Sequence, residues 1–243
     1  MKDIKRAMVL AAGFGVRLRP ITDTTPKPLV KVLGRTLIDR AIDRLHEGGV
    51  ETFVVNTHHL SEQIHKHLKK RVDVEILFSL EDDILETGGG IRNALSKFRN
   101  EPFFASNGDT LWLNGSQDAV SRMARHWDAD KMDALLMLHS TVDAYGYQGL
   151  GDFDVDPLGV LSRRPESELS PYLFTGLQIL HPRLFKKAPE GPFSLNVLYD
   201  KAIERGKLYG IVHDGEWFHV GTPRALDEAE DYMRKRYSGI KRR

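Results

Sequence analysis

The chain has 243 residues and contains no cysteine, which excludes disulfide bonds, thiolate metal sites and a cysteine nucleophile. Its 35 Lys and Arg residues nearly balance 34 Asp and Glu residues, so no overall field favours nucleic acid or an anionic membrane. The apolar run near the N-terminus is interrupted by glycines and then by Arg17 and Arg19 before it reaches the length of a signal peptide or a membrane span. We therefore expect a cytoplasmic protein with no nucleic-acid or membrane partner, in which any anion site is local.

The first 140 residues alternate strand-like and helix-like patterns. In chain order they predict a strand at 7–12, a helix at 36–49 that stops at its two glycines, a strand at 52–56, a helix at 60–69, a strand at 74–78, a helix at 90–98, a strand at 102–106, a helix at 116–127 and a strand at 134–138. This βαβ rhythm is typical of a parallel sheet that helices cover on both faces.

The remaining sequence is richer in hairpins and loops. A turn is predicted at 157–159 and a strand at 172–180. Helices return at 195–204, capped by Ser194, and from Pro223 to about Arg236. Because no linker or internal repeat divides the chain, we expect one domain with a β-rich insertion.

The loop AAGFGVRLRP, residues 11–20, follows the first predicted strand, where open α/β sheets bind ligands. Gly13 and Gly15 allow backbone N–H groups to approach a phosphate. A dinucleotide fingerprint requires a third small residue where this chain has Leu18, and the GK[ST] ending of a P-loop is absent. Two cations, Arg17 and Lys27, follow instead, and prolines on both sides restrict the backbone around the lysine. The pattern favours a phosphate site of another kind.

The stretch GFGVRLRPITDTTPKPLV resembles the signature of the sugar-1-phosphate nucleotidylyltransferases, and LETGGGI, SNGDT, GLGDF, FTGLQIL and WFHVGTP follow in that family's order. The resemblance implies the nucleotide-diphospho-sugar transferase fold, an α/β fold with a Rossmann-like mixed, mainly parallel sheet flanked by helices and a small β-rich sugar-binding insertion. It implies a single domain, 1–243, with a nucleotide-binding part at about 1–140, a sugar-binding part at about 141–222, and a C-terminal helix and basic tail at 223–243.

The reaction that the resemblance implies joins a nucleoside triphosphate and a sugar 1-phosphate into a nucleotide sugar and pyrophosphate, with Mg²⁺ as cofactor. The form LETGGG and the short chain are most similar to the branch that uses UTP and N-acetylmuramate 1-phosphate. Guanylyl transfer from GTP to mannose or heptose 1-phosphate is the alternative. A regulatory homologue that binds a nucleotide or sugar without catalysis is a third interpretation.

The site residues are also carried over from the resemblance. The expected catalytic residues are Arg17 on the triphosphate and the departing pyrophosphate, Lys27 against the reacting phosphates, and the magnesium ligand Asp109. The expected nucleotide-binding residues are Leu10, Ala11, Ala12, Gly13, Gly15, Glu81, Gly88 and Gly89. Gly88 and Gly89 are expected to pack against the nucleobase and Glu81 to accept a hydrogen bond from its edge. The expected sugar-binding residues are Asn107, Gly151, Thr175 and Gly176.

This chain departs from the family pattern at two places. His219 stands where the family's second metal-binding aspartate is expected, and imidazole is a poorer ligand for Mg²⁺ than a carboxylate. Three interpretations stay open: the metal relies on Asp109, substrate and water; His219 ligates weakly or favours another divalent ion; or the protein is impaired. Arg163 and Arg164 replace a Glu-Lys pair, and they either meet an acidic sugar substituent or form a solvated pair.

Overall fold

The computed structural model describes residues 4–238, so the last part of the predicted basic tail, 239–243, lies outside the described residues. The strands and helices are β1 (Arg6–Leu10), β2 (Lys31–Val32), β3 (Arg35–Thr36), α1 (Leu37–Glu47), β4 (Thr52–Thr57), α2 (Ser61–Leu68), β5 (Glu75–Leu80), α3 (Glu86–Ala94), β6 (Phe103–Asn107), β7 (Leu111–Leu113), α4 (Ala119–His126), β8 (Ala134–Ser140), β9 (Phe153–Val155), β10 (Leu161–Arg163), β11 (Tyr172–Leu180), α5 (Asn196–Ile203), β12 (Leu208–Val212), β13 (Glu216–Phe218) and α6 (Pro223–Ser238).

The central sheet has the strand order β5-β4-β1-β6-β11-β8-β12, and the β9–β10 hairpin joins it at the start of β11. Strand β11 runs antiparallel to β6 and β8, whereas the pairs formed by β5, β4, β1 and β6 and by β8 and β12 are all parallel. The arrangement confirms the predicted mixed, mainly parallel sheet.

Helices cover both faces of this sheet, as the continuous apolar strands indicate. Ala7 and Val9 of β1 pack in a core that includes residues of α1 and α4. Met8 points to the opposite core, which includes residues of α3 and α5. Since both faces of β1 are buried, its side chains need no alternation between apolar and polar residues.

Most predicted elements are confirmed, and the differences lie at the ends of helices and in short strands. Helix α3 begins at Glu86, before the predicted start at residue 90. Helix α4 begins at Ala119 because the carboxylate of Asp118 accepts a hydrogen bond from the Ser121 amide at 2.7 Å and caps it. Thr222 caps α6, because its hydroxyl accepts a hydrogen bond from the Ala225 amide at 3.2 Å. Strand β12 was not predicted, because its apolar run is short and its strand conformation depends on the pairing with β8, which is distant in the sequence.

The topology brings three strand ends together at one edge of the sheet. Leu10, the last residue of β1, pairs in register with Asn56 of β4 and with Asn107 of β6. A third core, formed by α6 with β7, β13 and β2, includes Val30 and Val32 and so supports the segment that follows Lys27. Among the helices of residues 4–238, none combines the length and the apolar character needed to cross a membrane.

Candidate active site

A cavity of about 390 Å³ opens at the carboxyl ends of β1, β4 and β6. Many of the residues predicted for the catalytic and nucleotide-binding sets line it. These are Leu10, Ala11, Ala12, Gly13, Gly15, Arg17, Lys27, Glu81, Asn107 and Asp109. The structure therefore brings together side chains that are separated by up to about a hundred residues in the sequence.

The glycine loop folds back on itself to form one wall of the cavity. Gly15 has φ of 65°, and its carbonyl accepts hydrogen bonds from the Leu18 amide and the Thr22 hydroxyl, both at 2.9 Å. A Cβ on Gly15 would lie 3.0 Å from the Cβ of Lys27, so the loop and the lysine segment pack closely. The space beside Gly13 is open. The loop thus presents Arg17 and exposed backbone to the cavity.

Lys27 and Asp109 form an ion pair across the cavity. Their side chains are 14% and 29% exposed, so both charges are partly withdrawn from water. Gly108 makes this possible because its amide donates to the Leu10 carbonyl at 2.8 Å, and a Cβ there would lie 2.8 Å from the same oxygen. The close approach of this turn to β1 places the carboxylate of Asp109 beside the lysine.

Asn56 is a site residue that the sequence analysis missed. Its side-chain oxygen accepts from the Ala11 amide at 2.9 Å, and its amide nitrogen donates to Glu81 at 2.7 Å. Glu81 is 3% exposed, and its second oxygen accepts from the Leu85 amide at 3.1 Å. Asn56 therefore joins the glycine loop to the segment that precedes α3. Its position at the end of β4, next to β1, is the signal that could have identified it.

Gly88 and Gly89 lie at the start of α3 and do not belong to the cavity wall. Both amides donate to the carbonyl of Phe193, at 2.9 and 3.2 Å. A Cβ on Gly88 would lie 2.3 Å from the Phe193 ring, so the glycine permits this crossing. The cavity is lined from this stretch by Ile84, Glu86 and Thr87 instead, which the sequence analysis did not single out.

The predicted sugar-binding residues have different environments. Asn107 lines the cavity, and Gly176, with φ of 92°, lies behind it, since a Cβ there would be 2.7 Å from the Asn107 side-chain nitrogen. Thr175 is buried, and its hydroxyl donates to the Met137 carbonyl at 2.8 Å. Gly151 packs against the Ser170 carbonyl. Only Asn107 of this set faces the main cavity.

His219 lines a neighbouring cavity of about 470 Å³ together with Arg17, Tyr147, Arg224 and Glu228. Because Arg17 also lines the main cavity, the two spaces share a wall. Burial lowers the pKa of His219 below its ordinary value, and the cations Arg17 and Lys27 lower it further, whereas Asp109 opposes the shift. The imidazole is therefore neutral at neutral pH.

Arg163 and Arg164 both have intramolecular partners. The guanidinium of Arg163 donates to Asp200 at 2.7 Å and lies over the ring of Phe153. Arg164 donates to four backbone carbonyls, those of Gly151, Pro165, Glu166 and Glu168. Through these contacts the two arginines stabilise the β-rich insertion.

The protein supplies few metal ligands at this site. Within residues 4–238, no three side chains of His, Asp or Glu come together in a way that could hold a metal ion by themselves. Asp109 is a hard oxygen donor on the cavity wall, and His219 is a neutral nitrogen donor in the adjoining space. Mg²⁺ is commonly held by one or two carboxylates together with substrate phosphates and water, and this donor set fits that pattern.

The sequence signature of the family described as "Nucleotidyl transferase" matches residues 6–236. The chain belongs to this family. It is 39% identical over 231 residues to the N-acetylmuramate alpha-1-phosphate uridylyltransferase of Caulobacter vibrioides, covering 93% of this chain and 96% of the relative. It is 27% identical to the mannose-1-phosphate guanylyltransferase catalytic subunit beta of Drosophila pseudoobscura, of which it covers 60%. The predicted family and enzyme class, a nucleotidyltransferase, are confirmed.

The fold of this nucleotidyl transferase is shared with solved structures. The crystal structure of HddC from Yersinia pseudotuberculosis complexed with GMP-PN superposes with a TM-score of 0.75 at 22% identity, covering 94% of this chain and 99% of that one. At this level of identity the likeness concerns the fold. The expected architecture is thereby confirmed.

Replacing Asn56 by Ala is expected to destabilise the protein and to loosen the glycine loop. The change leaves the Ala11 amide and one oxygen of buried Glu81 without their partners, which costs about 2 kcal/mol of the free energy of unfolding. Urea unfolding measures this difference. Asn93→Ala is the matched control, because Asn93 is exposed and its contact with Ser79 is long, at 3.4 Å; it should change stability by less than about 0.5 kcal/mol. Equal effects of the two variants would contradict the assignment.

Proposed function

We propose that this nucleotidyl transferase transfers the uridylyl group of UTP to N-acetylmuramate 1-phosphate, giving the nucleotide sugar and pyrophosphate. The observation that carries the proposal is the cavity at the ends of β1 and β6, where Arg17, Lys27 and Asp109 meet the glycine loop. The choice of substrates is supported by the N-acetylmuramate alpha-1-phosphate uridylyltransferase of Caulobacter vibrioides, because the match covers 96% of the length of that relative.

The chemistry requires charge neutralisation more than proton transfer. An oxygen of the sugar phosphate, which is already ionised, attacks the α-phosphorus of the triphosphate. The bond between this phosphorus and the oxygen that bridges the α- and β-phosphates breaks, and pyrophosphate leaves with that oxygen. In this proposal Lys27 lies against the reacting phosphates and Arg17 receives the pyrophosphate. Fixed cations in a partly buried site stabilise the charge that develops there without reorganisation. The open backbone of Gly13 accommodates the nucleotide.

Asp109 is the residue that would hold Mg²⁺ in this proposal. When bound, the ion neutralises charge on the phosphate oxygens that it contacts. Asp109 is already oriented by Lys27 and by the turn at Gly108, so its carboxylate needs no rearrangement to serve as a ligand. His219 lies in the neighbouring cavity, and because imidazole is a poorer ligand for Mg²⁺ than a carboxylate, we assign it no ligand role for this ion.

The neighbouring cavity is our proposed place for the sugar. It adjoins the phosphate end of the main cavity through Arg17 and is lined by Tyr147 and Arg224. This assignment corresponds to a division of the single domain into a nucleotide-binding part at about 1–140, a sugar-binding part at about 141–222 and the C-terminal helix. Asn107, backed by Gly176, would contact the sugar from the main cavity.

A panel of four nucleoside triphosphates against N-acetylmuramate, mannose, heptose and glucose 1-phosphates tests the proposal. Pyrophosphate release with Mg²⁺ is expected to be fastest for UTP with N-acetylmuramate 1-phosphate. A preference for GTP with mannose or heptose 1-phosphate would replace the substrate assignment by guanylyl transfer. Absence of release with every pair, from a folded protein, would favour a regulatory role that binds without transfer.

Replacing His219 by Asp tests the assignment of the metal to Asp109, substrate and water. If His219 does not ligate Mg²⁺, the variant should change Mg²⁺-dependent kcat by less than about threefold, whereas Asp109→Asn should lower kcat by about a hundredfold or more. Steady-state pyrophosphate release over a range of Mg²⁺ concentrations gives both values. A large rise in turnover for His219→Asp would show that a second carboxylate is needed at this position, against the assignment.

A further inference from the structure

Glu86, the first residue of α3, combines a strained backbone with a place on the cavity wall. Its φ is 58°, in the left-handed region that residues with a Cβ rarely adopt. The other non-glycine residues with positive φ in the described chain are Leu33, Leu60, Arg99 and Asn100, and none of them lines the cavity. Strain of this kind persists where the surrounding structure enforces it, and it is found preferentially at functional sites.

The contacts around Glu86 explain why its backbone does not relax. On one side, the Leu85 amide donates to Glu81 at 3.1 Å. On the other side, the hydroxyl of Thr87 accepts from the Leu195 amide at 2.9 Å, and the next two amides donate to the Phe193 carbonyl. Because these hydrogen bonds fix both neighbours of Glu86, they impose the left-handed conformation on it. Its side chain is thereby part of the cavity wall.

The carboxylate of Glu86 is free to bind a ligand. Within residues 4–238 it has no hydrogen bond or ion pair, and it is exposed. Glu81, the other acidic residue that this stretch contributes to the cavity wall, is buried and already accepts from Asn56 and Leu85. An unpaired carboxylate would repel a triphosphate, so we place the phosphates against Arg17 and Lys27. Lys27 pairs with Asp109, which follows β6, whereas Glu86 follows β5 on the other side of β1.

We propose that Glu86 accepts hydrogen bonds from the 2′- and 3′-hydroxyls of the nucleotide ribose, and so selects ribonucleotides over deoxyribonucleotides. This inference rests on the proposed function for the orientation of the nucleotide. With the phosphates at the cationic side, we place the base towards buried Glu81 and the ribose against Glu86, the exposed carboxylate that this stretch adds to the cavity wall. The two oxygens of a carboxylate match the two hydroxyls of a vicinal diol, and hydrogen bonds to an ionised acceptor are the strong ones.

Two variants separate the carboxylate from the backbone conformation. Glu86→Gly removes the carboxylate and accepts the left-handed conformation, and Glu86→Ala removes the carboxylate but keeps a Cβ there. Asp83→Ala is the matched control, because Asp83 is an exposed acid three residues earlier that does not line the cavity. Thermal unfolding should show Glu86→Gly to be at least as stable as the wild type.

The measurement is the Kd of UTP and of 2′-deoxy-UTP by titration calorimetry without sugar phosphate. The wild type and Asp83→Ala are expected to bind UTP about tenfold more tightly than 2′-deoxy-UTP, because one charge-assisted hydrogen bond is lost. Both Glu86 variants should bind the two nucleotides within about twofold of each other. Retention of the tenfold ratio in either variant, or its absence from the wild type, would overturn the proposal.

This readout does not depend on transfer. A protein that distinguishes UTP from 2′-deoxy-UTP through Glu86 but releases no pyrophosphate with any sugar phosphate would refute the proposed function and keep this inference. Conversely, a protein that transfers uridylyl groups but shows no effect at Glu86 would keep the function and refute the inference.

Discussion

The site depends on the register that sets Leu10 of β1 between Asn56 of β4 and Asn107 of β6. Because three parallel strands end side by side, the glycine loop, the asparagine that fixes it and the turn that carries Asp109 meet at one edge of the sheet. A shift of one residue in either strand pair would turn these side chains to the opposite face. The apolar cores on both sides of β1 hold this register.

Charge is distributed along the cavity in a way that suits a nucleoside triphosphate. Arg17 and Lys27 both lie close enough to His219 to lower its pKa, and Lys27 pairs with Asp109, which follows β6. Glu81 follows β5, on the other side of β1. The chain as a whole is nearly neutral, so the field that attracts phosphate is local to this site. The pair between Lys27 and Asp109 keeps both charges in place in the partly buried wall, where each would otherwise be costly to desolvate.

The sequence predicted the parts of the site that sit in local patterns. Lys27 and Asp109 stand in the short motifs TPKPLV and SNGDT, and the structure brings the two side chains together in an ion pair. Asn56 stands in none of the quoted motifs, and Glu86 stands in LETGGGI without being singled out there, because the role of each arises from neighbours that the topology supplies. Likewise, the environment of Gly88 depends on Phe193, about a hundred residues later, whose carbonyl and ring cover the start of α3. Long-range contacts of this kind leave no periodic signal in the chain.

The most direct test of this account is the turnover of Lys27→Ala with UTP and N-acetylmuramate 1-phosphate, compared with Lys31→Ala, which removes an exposed lysine nearby. If Lys27 neutralises charge that develops during transfer, its loss should lower kcat by about a hundredfold or more and change the Kd of UTP much less. Lys31→Ala should leave both unchanged. A Lys27→Ala variant that keeps kcat within about threefold of the wild type would contradict the central role given to this lysine.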